Sequence, residues 1–245
     1  MVRYLIIVVF SVFVSCNAVQ PISSVGFKGY PISKTAGVDS VYLRMLGPYS
    51  DSVGKTMDQL MAYASVDLIK DLPNSSLGNF LADAYLYVAK EKFDKRVDVA
   101  FMNHGGVRIN KIPMGPISRR AVFEVMPFDN QLVIVEVKGD VLQAYLDKFA
   151  SEGGGGGVAG LTMKIKDKKA VDVMIGGQKI EAGKVYFMVN SDYAVDGGGG
   201  FSGLKKLPQQ RTQYLQRDAI LDYCTIQLST GRKIDAEPLI RISHE

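Results

Sequence analysis

Tryptophan is missing from the 245 residues, cysteine and histidine occur twice each, and charged side chains make up only 22% of the chain. Each scarcity excludes something. With His104 and His244 as its sole imidazoles, the chain lacks most of the ligands from which a hydrolytic two-metal centre is usually built. A Ser/His/Asp triad would have to recruit one of the same two, and His244 stands at the C-terminus. The nucleophile-elbow pattern Gly-x-Ser-x-Gly is absent, as is a Walker-type phosphate loop. The glycine-rich stretches around Gly157 and Gly200 match a dinucleotide fingerprint only because any glycine run generates it. Charge is near balance, 29 Lys+Arg against 25 Asp+Glu, which excludes a disordered polyelectrolyte and gives no argument for a nucleic acid polymer as partner. Glycine is not periodic and no long heptad run occurs, so collagen and coiled coil are excluded too.

What is present begins with an export signal. One cation, Arg3, precedes an apolar run over residues 5–14 that is broken only by Ser11. That run is about half the ~20 residues a membrane-spanning helix needs, so it reads as a signal-peptide core. Cys16 directly behind Val14-Ser15 resembles a bacterial lipoprotein signal, in which residues 1–15 are removed and Cys16 is lipidated. An ordinary signal peptide cut near Ala18 is the alternative. The expectation is an exported chain, periplasmic or on the outer membrane, held to the membrane by a lipid anchor. Once Cys16 is acylated, Cys224 has no disulfide partner and reads as a small buried residue.

Residues 16–37 are rich in Ser, Pro, Gly and Val and read as a tether, leaving 38–245 as one folded domain. Val41, Leu43 and Met45 alternate like a strand, and Val53, Met57, Leu60, Met61 and Ala64 then follow helical spacing. Asn74-Ser75-Ser76 offers caps to a strong helix with Leu77, Phe80, Leu81, Ala84, Tyr85 and Val88 on one face. Strands are predicted over 97–102, 121–125, 132–137, 161–165, 170–175 and 185–190, with a hairpin turn at Gly176-Gly177. A helix is predicted from Gly139-Asp140 to the glycine run 153–157, itself read as a flexible surface connection without function. A last helix over about 212–228 precedes a short strand over 239–242. The pattern is mixed α and β, without an internal repeat.

Three loops that follow predicted strands carry the chemistry. They are Asn103-His104-Gly105-Gly106-Val107-Arg108, Met126-Pro127-Phe128-Asp129-Asn130, and the long Asn190-Ser191-Asp192-Tyr193-Ala194-Val195-Asp196-Gly197-Gly198-Gly199-Gly200-Phe201. Side chains from loops gather at the ends of a rigid sheet, so these could line one pocket. Together they offer an amide, a guanidinium, two flat aromatics and glycine backbone that a ligand can approach closely. Such a set suits a ligand with an aromatic ring at one end and anionic oxygen at the other. Plainer readings stand beside this one: Phe128 as a core residue at a strand start, Arg108 in a structural salt bridge, His104 as a helper to its turn.

At these residues the sequence resembles the C-terminal domain of the 5′-nucleotidase family. The likeness extends to Pro48-Tyr49 with the Met57 helix, Ser76-Leu77-Gly78-Asn79-Phe80-Leu81-Ala82-Asp83-Ala84, Gly115-Pro116-Ile117-Ser118 and Lys138-Gly139-Asp140-Val141-Leu142, in order over roughly residues 46–229. It implies an α+β fold of mixed β-sheets flanked by helices. It also implies a substrate-binding role, because the family's two divalent metals sit in a separate N-terminal metallophosphoesterase domain with no counterpart in this sequence. Catalytic residues and metal ligands are therefore expected to be absent here, with divalent ions confined to a partner chain.

Carried over by position, Phe128 and Tyr193 would sandwich the base, Asn103 would touch the ribose beside Gly106, and Arg108 would face the phosphate. Two positions depart from the family. Asp71-Leu72-Pro73 stands where an Arg is common, and Gly199 occupies the place of a ribose-gripping acid, leaving Asp196 as the substitute. Three readings follow: the nucleotide-recognition half of a split exported 5′-nucleotidase, a nucleotide- or nucleoside-binding lipoprotein that hydrolyses nothing, and a purely structural module.

Overall fold

The structure is a computed structural model that describes residues 24, 26–31, 37, 39–93, 96–235 and 240–245. The signal segment, Cys16 and most of the 16–37 tether lie outside the described residues. Two compact units are distinguished, Met1–Leu46 and Gly47–Glu245. Described elements of the first are limited to the opening turns of helix α1 (Ser40–Met57). The alternation of Val41, Leu43 and Met45 suggested a strand, but the observed helix carries Tyr42, Leu46, Tyr49 and Val53 on a 3.6-residue stripe instead. Asp39 starts it by accepting from the Val41 and Tyr42 amides at 2.8 and 3.3 Å. None of its residues is buried.

The second unit is built around a five-stranded sheet. Its strands are β3 (Val99–Met102), β6 (Gln131–Lys138), β7 (Gly157–Ala159), β11 (Val185–Ser191) and β12 (Gln209–Leu215), in the order β12-β6-β11-β3-β7. The β11–β3 pair is parallel and the other neighbours are antiparallel, so the sheet is mixed. Both faces are covered, which is why β3 and β6 read as nearly continuous apolar runs. On one face Ala100, Met102, Leu132, Ile134 and Val189 meet α2 (Ser76–Lys92) and α6 (Gln216–Ser229). On the other, Val99, Phe101, Val133, Val135 and Met188 meet α4 (Gly139–Ser151) and a second sheet. That second sheet comprises β8 (Leu161–Lys166), β9 (Lys169–Ile175), β10 (Gln178–Lys179) and β13 (Ile242–His244), in the order β10-β9-β8-β13. Two short antiparallel pairs complete the unit. These join β1 (Leu60–Ala64) to β5 (Gly115–Ser118) and β2 (Leu68–Ile69) to β4 (Lys111–Ile112).

Helix α2 starts where the sequence placed it, with Ser75 Oγ accepting from the Gly78 amide at 2.9 Å. Other expectations are corrected. Residues 60–64 form β1 rather than the end of a helix, because they pair with β5. Residues 121–125 lie in helix α3 (Arg119–Val125): Ser118 Oγ accepts from the Ala121 amide, and Val122 and Val125 bury one helical face. The expected helix from Thr212 is delayed to Gln216, because residues 209–215 add an edge strand to β6. Thr212 Oγ donates to the Leu132 carbonyl at 2.7 Å there. Leu239 lies outside the described residues, and the terminal strand is Ile242–His244. Cys224 is buried and unpaired among the described residues.

The glycine run is the largest correction. Residues 154–157 are buried, and a Cβ on Gly157 would sit 1.7 Å from the Gly78 carbonyl oxygen. On Gly156 it would sit 2.2 Å from the Met102 carbonyl oxygen. Backbone touches backbone here, which no larger residue permits. The run is therefore a packed joint between α2 and the end of β3.

Candidate functional site

Strand β3 ends at Met102, and after Asn103 a single 3-10 turn, His104–Gly106, bends the chain back. His104 Nδ1 stands 2.7 Å from the Gly155 carbonyl oxygen; a carbonyl only accepts, so this nitrogen carries the proton. The glycine joint thus holds the turn. Gly106 is tucked beneath Asn103: a Cβ at this position would lie 2.8 Å from Asn103 Oδ1 and 2.4 Å from the Met102 methyl carbon. The Arg108 guanidinium donates to the Gly105 carbonyl at 3.2 Å, and its Cζ lies 5.2 Å from the centre of the Phe128 ring.

Phe128 is half-buried. It packs partly against the core, as the plainer reading expected, yet it also lines the cleft. Arg217 holds its loop from behind, donating to the Phe128 carbonyl at 3.2 Å and pairing with Asp129 at 2.6 Å. At the end of β11, buried Asn190 donates to the Tyr145 hydroxyl at 2.8 Å, and Ser191 Oγ caps the short helix α5 (Asp192–Val195). Burial pushes the Tyr145 hydroxyl up to about 12, so it stays a neutral partner. Asp192 Oδ1 accepts from Asn130 Nδ2 and from the Tyr193 amide, both at 2.7 Å, which fastens the loop of Phe128 to the loop of Tyr193. Tyr193 is 54% exposed and its ring lies over Gly198, where a Cβ would fall 2.4 Å from the ring.

These loops enclose a cavity of about 440 Å³ lined by Asn103, Gly106, Arg108, Phe128, Tyr193 and Gln216, among others. Five of the expected site residues therefore share one cleft. Asp196 does not line it: its carboxylate is paired with Arg211 at 2.6 Å, and that hydrogen bond lowers its pKa. Gly199, in left-handed conformation at φ 76°, lines a smaller neighbouring hollow with His104, Tyr145, Lys148 and Phe201.

Sequence reasoning missed two residues beside the cleft. Lys70 donates to the Val107 carbonyl at 2.8 Å, and its pKa is lowered by burial and by the nearby Arg108 charge. Two like charges held together attract an anion, and Lys70 directly precedes the segment where the family's Arg is missing. Gln216 lies where the sequence reads as the interior of a helix, so nothing in the pattern singled it out. Among the described residues no group of three or more His, Cys, Asp or Glu is gathered that could hold a metal ion. No helix among them is long and apolar enough to cross a membrane.

The family model described as 5′-nucleotidase, C-terminal domain, matches residues 52–206. The chain belongs to that family. The 5′-nucleotidase of Vibrio cholerae serotype O1 is 27% identical over 195 residues, which cover 76% of this chain and 34% of the relative. The trifunctional nucleotide phosphoesterase YfkN of Bacillus subtilis is 34% identical over 143 residues, 52% of this chain and 10% of its own. Among solved structures, the 5′-nucleotidase precursor of Thermus thermophilus aligns with a TM-score of 0.71 at 26% identity, covering 84% of this chain and 43% of that one. The NAD nucleotidase of Haemophilus influenzae, at 16% identity and a TM-score of 0.63 over 84% of this chain and 42% of its own, shares the fold. The chain thus spans about a third of the length of the V. cholerae relative.

Proposed function

We propose that this domain is the nucleotide-recognition part of a split, exported 5′-nucleotidase. In this reading a separate metallophosphoesterase chain supplies the divalent metals and the attacking water, while this chain holds the base, sugar and phosphate. One observation carries it: a cavity of about 440 Å³ with aromatic rings from two distant loops and a guanidinium on its lining. Phe128 and Tyr193 supply ring faces, and base–aromatic stacking is worth about 1–3 kcal/mol per base. Asn103 meets the ribose, while Arg108 and Lys70 attract phosphate oxygen. Gly106 leaves the floor bare enough for close approach. Asp196, paired with Arg211 and outside the cavity lining, is left out of the ribose contacts in this reading. Lipidation at Cys16 would bring the chain to a membrane surface, periplasmic or outer.

The test is reconstitution. The purified chain is mixed with a metallophosphoesterase encoded beside it, and phosphate release from AMP is followed with divalent metal present. Release by the mixture and by neither component alone is expected. Inertness of the mixture, with AMP still bound by this chain, would leave the second reading, a nucleotide- or nucleoside-binding lipoprotein that hydrolyses nothing.

A further inference from the structure

Three of the polar side chains lining the cleft are already engaged. Asn130 Nδ2 donates to Asp192, Ser191 Oγ accepts from the Ala194 amide, and Arg108 donates to the Gly105 carbonyl. Asn103 and Tyr193 are partly or largely exposed to solvent, whereas Gln216 is not. It lines the cleft, is only 3% exposed, and its buried Nε2 meets no acceptor among the described residues. Its backbone is fixed, since its amide donates to the Asn130 carbonyl at 2.9 Å at the start of α6. A buried amide donor without a partner destabilises the fold, so folding alone gives no reason for a carboxamide at this position.

We propose that Gln216 is a specificity-determining residue whose side-chain amide reads the edge of the ring held at Phe128 and Tyr193. The inference rests on the nucleotide-binding reading and adds to it the origin of base preference. Stacking accepts any base, because every base has a π-face. A carboxamide instead presents a donor beside an acceptor, and rotation about its last bond exchanges the two ends. It matches a base edge with a ring nitrogen next to an exocyclic group, as glutamine matches adenine in nucleic-acid recognition. A ring without the exocyclic group leaves part of the amide unpaired, and such sites reject the deficient analogue strongly.

The experiment is calorimetric titration of the intact chain with adenosine, guanosine, cytidine, uridine and purine riboside, the last lacking any exocyclic group. Wild type is expected to rank these ligands and to bind purine riboside more weakly than adenosine. Gln216→Met, close in shape but without hydrogen-bonding groups, is expected to weaken the preferred nucleoside by about tenfold and to level the ranking. Its unfolding midpoint is expected to stay level or rise, whereas a structural glutamine would lower it. Gln216→Glu keeps the shape and removes the donor; it shifts the ranking if the first variant fails to fold. A ranking unchanged in both variants, or no ranking in wild type that nonetheless binds, overturns the role of Gln216. No binding of any nucleoside or of AMP by wild type overturns the nucleotide reading itself.

Discussion

The Arg108 guanidinium lies over the ring of Phe128, with Cζ 5.2 Å from its centre. The group proposed for phosphate therefore rests on the ring proposed for the base. A cation–π contact at an exposed site contributes about 0.5–1 kcal/mol, and base stacking about 1–3 kcal/mol. On the nucleotide reading, stacking would outweigh the cation–π contact, and an arriving base would displace the guanidinium toward the phosphate. Arg108→Ala is accordingly expected to weaken AMP several-fold while leaving adenosine affinity level or slightly raised. Paired calorimetric titrations check this, and an equal loss for both ligands would contradict it.

Lys70 provides a companion case. Its ammonium is already disfavoured by burial and by Arg108, so a bound phosphate relieves repulsion as well as adding attraction. Lys70→Met is expected to weaken AMP more than adenosine, and the loss should shrink as salt is raised. The same titrations at low and high ionic strength are the measurement.

The aromatic pair can be separated from folding. Tyr193 is largely exposed, so Tyr193→Ala is expected to leave the unfolding midpoint unchanged while weakening every nucleoside by about 1–3 kcal/mol. Phe128 also packs against the core, so Phe128→Ala loses both affinity and stability. Unchanged nucleoside affinity in both variants would place the base elsewhere.

Backbone contact at the glycine joint makes a stability prediction. Gly157→Ala forces a methyl group into the Gly78 carbonyl and is expected to destabilise the domain by about 1–3 kcal/mol in urea unfolding. Gly183, with open space where its Cβ would lie, is the control, and Gly183→Ala should stay within about 0.5 kcal/mol of wild type.

A pH dependence arises far from the cleft. Burial opposes ionisation of Asp222, but hydrogen bonds from the Lys92 ammonium and the Tyr214 hydroxyl outweigh it and hold the carboxyl below its ordinary range. A carboxyl depressed in the folded state contributes stability above the unfolded value, near pH 4, and that contribution fades as pH falls through the folded value. Urea midpoints between about pH 7 and about pH 3 should therefore decline less steeply in Asp222→Asn. The effect is modest, because both charges are partly exposed.

Much of the core and of the cleft was legible in the sequence. Leu77, Phe80, Leu81, Ala84, Tyr85 and Val88 announce α2 by spacing alone, and Ser75 announces its cap. Asn103, Arg108 and Tyr193 could be grouped because their loops follow apolar strands, and Phe128 joined them through a strand expected over 121–125 that is helix α3 in the structure. What misled was local pattern overridden by capping or pairing. Residues 121–125 carry strand-like residues, but the Ser118 cap and the buried pair Val122 and Val125 make them helical. Thr212 to Leu215 look helical until β6 offers them an edge. The glycine run showed its composition and not its tightness, since close approach of two backbones leaves no mark in hydrophobic periodicity. Gln216 was invisible for a related reason. A polar residue inside a predicted helix signals nothing until the structure shows it buried with a donor unpaired.

Asp192 accepts from Asn130 across to the Phe128 loop while its bond from the Tyr193 amide is local, so one hydrogen bond ties the two ring-bearing loops together. Closing the slot around a guest would have to strain or break that bond. On the nucleotide reading, a gap held by this bond before the ligand arrives would lose less entropy on entry than one that must form around it.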